Sequence, residues 1–295
     1  MDKKLFAETI RKEVERRLPE KLIGSTVIVM PVEKNNITLT GLHIMEPNTD
    51  TSPTIYLEEF IEEVERGKMT VQDTADKVID KHLQFRNVNF DAVIQKIKNF
   101  DKIKRNIEMK VIGIKGNEKY LENCVYDTYL DMAVVYIIRL QGLEQEVGSI
   151  KINKSLMEMW GVTEENIRKV AYENTKDDYE LQDMAEMSTL SYNLSKELSG
   201  FPKGLMYVLS NSKRFFGAHV ITNQEIMKKV YEELEESFYI IPSNIHQVII
   251  VPWEEDCNPV FLKYMVAEVN TKVVLPEEVL TNSIYYFDGE KVSII

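Results

Sequence analysis

His246 lies in Ile240-Ile241-Pro242-Ser243-Asn244-Ile245-His246-Gln247-Val248-Ile249-Ile250, a short polar insert between two apolar, β-branched runs. An imidazole titrates near neutral pH, so beside Ser243 and Asn244 it has the chemistry for acid–base work or for holding an anion. The same ring has an architectural use: its nitrogens can satisfy main-chain groups of a buried turn and hold two strands in register. Ser243, Asn244 and His246 are therefore the candidate binding residues, and no residue is assigned a catalytic role.

The rest of the reactive inventory is dispersed. His43, His82 and His219 form no helical pair with one another, and Cys124 and Cys257 match no metal-ligand spacing, so neither a metal nor another cofactor is expected. His82 falls on an apolar helical stripe and reads as packing, and His219 reads as facing out of a strand. Asp127 and Asp131 flank the apolar run that starts at Met132 and offer a carboxylate pair, or simply caps. Cys257 follows Glu254, Glu255 and Asp256, a setting that disfavours a thiolate. There is no Gly-rich phosphate loop, no paired-glycine dinucleotide turn and no Gly-x-Ser-x-Gly elbow.

The elements that must position these residues are legible as periodicities. Phe6, Ile10 and Val14 mark a helix face, and Thr26–Met30 and Ile37–Thr40 read as strands across an Asn35-Asn36 turn. Pro53–Leu57 is extended and runs into a helix with its apolar stripe at Leu57, Phe60, Ile61 and Val64, closed by Gly67. Thr70 and Asp73 form an N-terminal box for the next helix. Ile107–Ile112 alternates as a strand does, and the unbroken apolar run Met132–Ile138 reads as a strand buried on both faces. Leu205–Leu209 is expected in the same sheet. A possible repeat of strand, strand and helix places Gly148–Asn153 and Ser155–Met157 opposite Gly217–Asn223 and Glu225–Met227, with Asn153 and Asn223 as caps. The final segment reads as a hairpin turning at Asp288-Gly289. The fold class is thus mixed α/β (α+β), with an N-terminal α+β domain over 1–105. A larger sheet-centred domain with helices on the sheet covers 106–295 and carries a polar insertion at about 174–204.

Composition narrows the classes of function. Across 295 residues, 44% are hydrophobic and 28% charged, as in an ordinary soluble globular chain. A formal net charge of −12 repels phosphate backbones, so nucleic acid is disfavoured as a partner. The opening Met1-Asp2-Lys3-Lys4 soon gives way to charge, and no apolar run approaches a membrane span, so the expected place is the cytoplasm with both thiols reduced.

Ser52–Leu57, Asp131–Tyr136, Met159–Thr163, Ile240–His246 and Glu277–Tyr286 together resemble an uncharacterised bacterial family of domains of unknown function (family 5688). The resemblance spans most of the chain in order. It implies a bacterial cytoplasmic protein and brings no activity, substrate or catalytic residue with it. It also implies an acid after the histidine, where this chain carries Gln247, which weakens a catalytic reading of His246. The expected function is a non-catalytic binding or accessory protein recognising a protein or peptide. The alternative is a hydrolase or other small-molecule enzyme working near Ser243, Asn244 and His246.

Overall fold

The structure is a computed structural model and describes residues 2–49, 52–85, 90–140, 148–186, 204–253 and 258–295, with the side chains of Phe85 and of residues 90–93 left aside. Residues 187–203, most of the expected polar insertion, and Cys257 fall outside the described residues. The fold is mixed α and β, and the chain divides into two compact units, Met1–Ile97 and Lys98–Ile295.

In the first unit, α1 (Lys3–Arg17) starts where the Asp2 carboxylate accepts the N–H groups of Lys4 and Leu5. Strands β1 (Thr26–Lys34), β2 (Ile37–Met45) and β3 (Ile55–Tyr56) form an antiparallel sheet in that order. Helices α2 (Glu58–Glu65), α3 (Val71–Phe85) and α4 (Phe90–Ile97) follow. Thr70 and Asp73 cap α3 reciprocally: Thr70 N–H donates to the Asp73 carboxylate, and Asp73 N–H donates to Thr70 Oγ1. Alternation along β1 and β2 sends Val27, Leu42 and Ile44 into one core with Phe6, Ile10 and Val14 of α1 and with Ala75 and Val78 of α3. His82 is buried, as its stripe implies, with Nε2 3.2 Å from Glu46 Oε1.

The second unit holds two sheets. The short helix α5 (Phe100–Ile103) leads into β4 (Ile107–Gly113), and α6 (Glu118–Leu121) precedes β5 (Tyr126–Tyr129). Strand β6 (Met132–Leu140) pairs with β4 along one edge, and along the other with β5 and then β7 (Gly148–Lys151). It is interior along its length, as its unbroken apolar run requires. Helices α7 (Lys154–Trp160) and α8 (Glu164–Thr175) come next. The second sheet contains β8 (Glu180–Asp183), β9 (Tyr207–Ser210), β10 (Phe238–Asn244), β11 (Gln247–Pro252), β12 (Tyr285–Phe287) and β13 (Val292–Ile294), in the order β13-β12-β10-β11-β9-β8. Helix α9 (Gln224–Leu234) precedes β10, and α10 (Pro259–Lys272) follows β11. β12 and β13 form the expected hairpin around Gly289, whose φ of +96° suits glycine.

Two expectations fail. Leu205–Leu209 does not share a sheet with Val134–Ile138, because β9 belongs to the six-stranded sheet and β6 to the four-stranded one. The proposed repeat fails with it, since Gly217–Thr222 is a 3-10 helix rather than a strand. This segment packs against β4, β9 and β11, and both β9 and β11 are already paired on each side. Neither offers it a free edge, and although β4 ends its own sheet the segment does not pair with it; its main chain bonds locally, as where Asn223 N–H donates to Val220 O. The capping half of the expectation holds: Asn153 accepts from Leu156 N–H, and Asn223 accepts from Glu225 and Ile226 N–H. His219, read as facing out of a strand, is instead 2% exposed in the interior.

Candidate functional site

The turn carrying His246 is built from its own sequence. Pro242 has no N–H to give a sheet ladder, and the β10–β11 register shifts between Ile241 and Asn244, leaving a bulge at Pro242-Ser243. Asn244 then closes the turn, its Oδ1 accepting from His246 N–H at 2.8 Å and Gln247 N–H at 3.1 Å. Ser243 is half-buried on the bulge, and no hydrogen bond joins it to His246 among the described residues. The three candidate residues are therefore neighbours, but not a nucleophile–base pair.

What surrounds His246 comes from distant segments that no local spacing could reveal. Ser210 Oγ donates to His246 O at 2.7 Å, and Phe216 N–H donates to His246 Nδ1 at 3.1 Å. The Phe216 ring stacks on the imidazole with centroids 5.4 Å apart and planes 10° apart. From the other side, Ile245 N–H donates to Glu278 O at 2.9 Å, which brings Glu278 Oε1 to 3.6 Å from His246 Nε2. The carboxylate missing at Gln247 is thus supplied by Glu278, in the 3-10 turn Pro276–Glu278.

Phe216 is gripped by two histidines in opposite senses. Its carbonyl can only accept, so His219 Nδ1, 2.9 Å away, carries the proton, and His219 Nε2 is a bare lone pair with no hydrogen-bond partner among the described residues. Its N–H can only donate, so His246 Nδ1 is unprotonated and the proton of the neutral ring sits on Nε2. Phe216 itself has φ +55°, a conformation that a bulky residue keeps only where its surroundings enforce it. Gly217 follows because nothing larger fits: a Cβ there would lie 2.2 Å from Ser210 Oγ and 2.5 Å from Asn211 N.

Below the aromatic pair lies a buried charge cluster. Glu108 on β4 and Arg139 on β6 point to the same face, and each side chain is under one-tenth exposed. Arg139 Nη1 donates to Glu108 Oε2 at 3.3 Å, and Lys213 Nζ donates to Glu108 Oε1 at 2.6 Å. The Arg139 guanidinium lies 4.9 Å from the Phe215 ring centroid, and the Lys110 ammonium lies 4.5 Å from that of Phe216. Asp127 and Asp131 are not a pair. Asp127 holds Arg168 Nε at 2.8 Å and the Tyr136 hydroxyl, whereas Asp131 accepts from Ser283 Oγ at 2.7 Å and Tyr285 Oη at 2.6 Å.

Burial is the main force on both imidazoles and pushes their pKa values below the ordinary range. Glu278 opposes it at His246 while Lys110 adds to it. At His219 the Phe216 carbonyl, Glu108 and Asp178 oppose it while Lys213 adds to it. Below about pH 6.5 the unfolded chain therefore binds more protons than the native one, so the stability from these rings is complete above that pH and falls as the solution is acidified. The urea midpoint is expected to drop between about pH 7.5 and about pH 5.5, with the His219 imidazole resonance still that of the neutral ring at about pH 6.5. A half-titrated His219 signal at that pH contradicts the arrangement.

Among the described residues no group of three or more His, Cys, Asp or Glu side chains is arranged to hold a metal ion, and no helix is long and apolar enough to cross a membrane. The chain belongs to a family of unknown function (DUF5688), whose model matches residues 3–289. No curated protein and no solved structure matches it.

Proposed function

We propose that this chain is a non-catalytic binding module of the bacterial cytoplasm, which receives an apolar helical segment of a protein on the outer face of α10. One observation carries the reading. Helix α10 leans on the second sheet through Leu262 and Val266, yet Val260 is 76% exposed, Phe261 60% and Tyr264 67%. Fully burying such side chains contributes about 1.5–3 kcal/mol each, so their exposure on one helix is a surface awaiting cover. Nucleic acid remains disfavoured by the charge of −12.

The hydrolase alternative near Ser243, Asn244 and His246 has one observation in its favour, the approach of Glu278 to the ring. Against it, one ring nitrogen is bonded to main chain and the other faces the carboxylate, so neither is turned toward a substrate. The face and the histidine turn are also physically linked, because α10 runs through Val273 and the exposed Leu275 into the turn that holds Glu278.

The apolar dye ANS tests the reading on the folded protein. Its emission is expected to rise on addition of the native chain and to be largely lost in the Phe261→Ser/Tyr264→Ser variant, with near-ultraviolet circular dichroism unchanged. An equal signal from both proteins, or none from either, would overturn the assignment of α10.

A further inference from the structure

We infer that His246 is a proton-operated latch: the neutral ring holds the main chain at Phe216, and the charged ring releases it and turns to Glu278. The 3-10 segment Gly217–Thr222 then loosens while the fold around it stands. The bond between ring and main chain has one possible sense. Phe216 N–H donates to His246 Nδ1 at 3.1 Å, so that nitrogen must keep a bare lone pair. Nε2 carries the proton of the neutral ring, so a second proton lands on Nδ1 and sets N–H against N–H. The charged ring has two donors to place, and Glu278 Oε1, 3.6 Å from Nε2, is the carboxylate beside it. What the ring releases is held under strain: Phe216 has φ +55°, and it leads directly into the 3-10 segment.

The other histidine on Phe216 does not switch. His219 donates from Nδ1 to Phe216 O at 2.9 Å, and it does so whether or not Nε2 is protonated. Its ring is interior, and a second proton would sit on a buried Nε2 that has no hydrogen-bond partner among the described residues. The His246 side chain is 22% exposed, so a proton reaches it while the chain is folded. The charges acting on it are opposed. Glu278, from the turn Pro276–Glu278, favours the charged ring, and Lys110 on β4 disfavours it. On the loop that brings Phe215 and Phe216 against the imidazole, Lys213 is engaged by Glu108 and Arg214 by Gln182, and β9 presents the Ser210 hydroxyl to the His246 carbonyl. Burial is the largest influence and favours the neutral ring, so the latch is closed at neutral pH and opens on the acid side.

Amide hydrogen exchange of the full chain from about pH 8 to about pH 4.5, corrected for the chemical exchange rate, tests the latch. Protection over Phe216 to Thr222 is expected to fall at least about fivefold, with the same midpoint as the His246 imidazole resonance, while β6 keeps its protection. His246→Asn places an amide oxygen where Nδ1 stood, an acceptor that no proton removes in this range, and should make the protection independent of pH. Glu278→Gln removes the charge that favours the protonated ring and should move the midpoint to lower pH. A ring that titrates without loss of protection in the segment, a loss that persists in His246→Asn, a loss shared by β6, or an unmoved midpoint in Glu278→Gln overturns the inference. Global unfolding before the ring titrates overturns it too. If His246→Asn does not fold, the wild-type titration decides: a shared midpoint for ring and segment supports the latch, and separate midpoints overturn it.

Discussion

Arg139→Leu is expected to lower the unfolding free energy by about 3 kcal/mol, the lower end of what breaking a buried ion pair costs. The change leaves the Glu108 carboxylate in the interior with one partner instead of two. Lys213 softens the loss because its ammonium still reaches Glu108 and, being about two-fifths exposed, keeps contact with water. The guanidinium stacked on Phe215 goes as well. Glu108→Leu/Arg139→Leu should recover most of that stability, since removing both charges also removes their desolvation and frees Lys213 to move into solvent. Denaturant unfolding of the two variants checks the pair. A single variant within about 0.5 kcal/mol of wild type would show that the cluster is solvated rather than buried.

The cluster marks where reading along the chain stops. Apolar periodicity places α1, the β1–β2 hairpin, β6 and the C-terminal hairpin, because each buries a face whose pattern is local. Glu108 and Lys110 alternate along β4 as solvent-facing residues would, yet both are buried. Lys110 lies against the Phe216 ring and Glu108 is held by Lys213, both more than a hundred positions away, and no local pattern encodes that. The failed repeat has the same origin. Leu205–Leu209 and Val134–Ile138 have similar apolar content, but sheet membership is decided by which edges remain unpaired, a property of the assembled unit. The turn chemistry at Pro242, Ser243 and Asn244 is legible, whereas Glu278 and Phe216, which contact the His246 ring, come from other segments. The one available signal for Phe216 is Gly217 beside it, a residue type that marks close approach of main chain.

The proposed role of His246 is architectural: its ring accepts the Phe216 N–H and stacks on the Phe216 side chain. Its most direct test is the guanidinium unfolding midpoint of His246→Ala at about pH 7.5, where the ring is neutral. The variant leaves Phe216 N–H without its acceptor, at a cost of about 1–3 kcal/mol, and removes the stacked contact with the Phe216 ring, about 0.5–1.5 kcal/mol more. Phe216 is then less firmly held in its left-handed conformation, so the 3-10 segment beginning at Gly217 should loosen with it. A clear fall of the midpoint is expected, corresponding to about 1.5–4.5 kcal/mol of lost stability, with ANS binding at α10 retained in the folded variant. An unchanged midpoint would contradict it and return His246 to the role of a free, reactive imidazole.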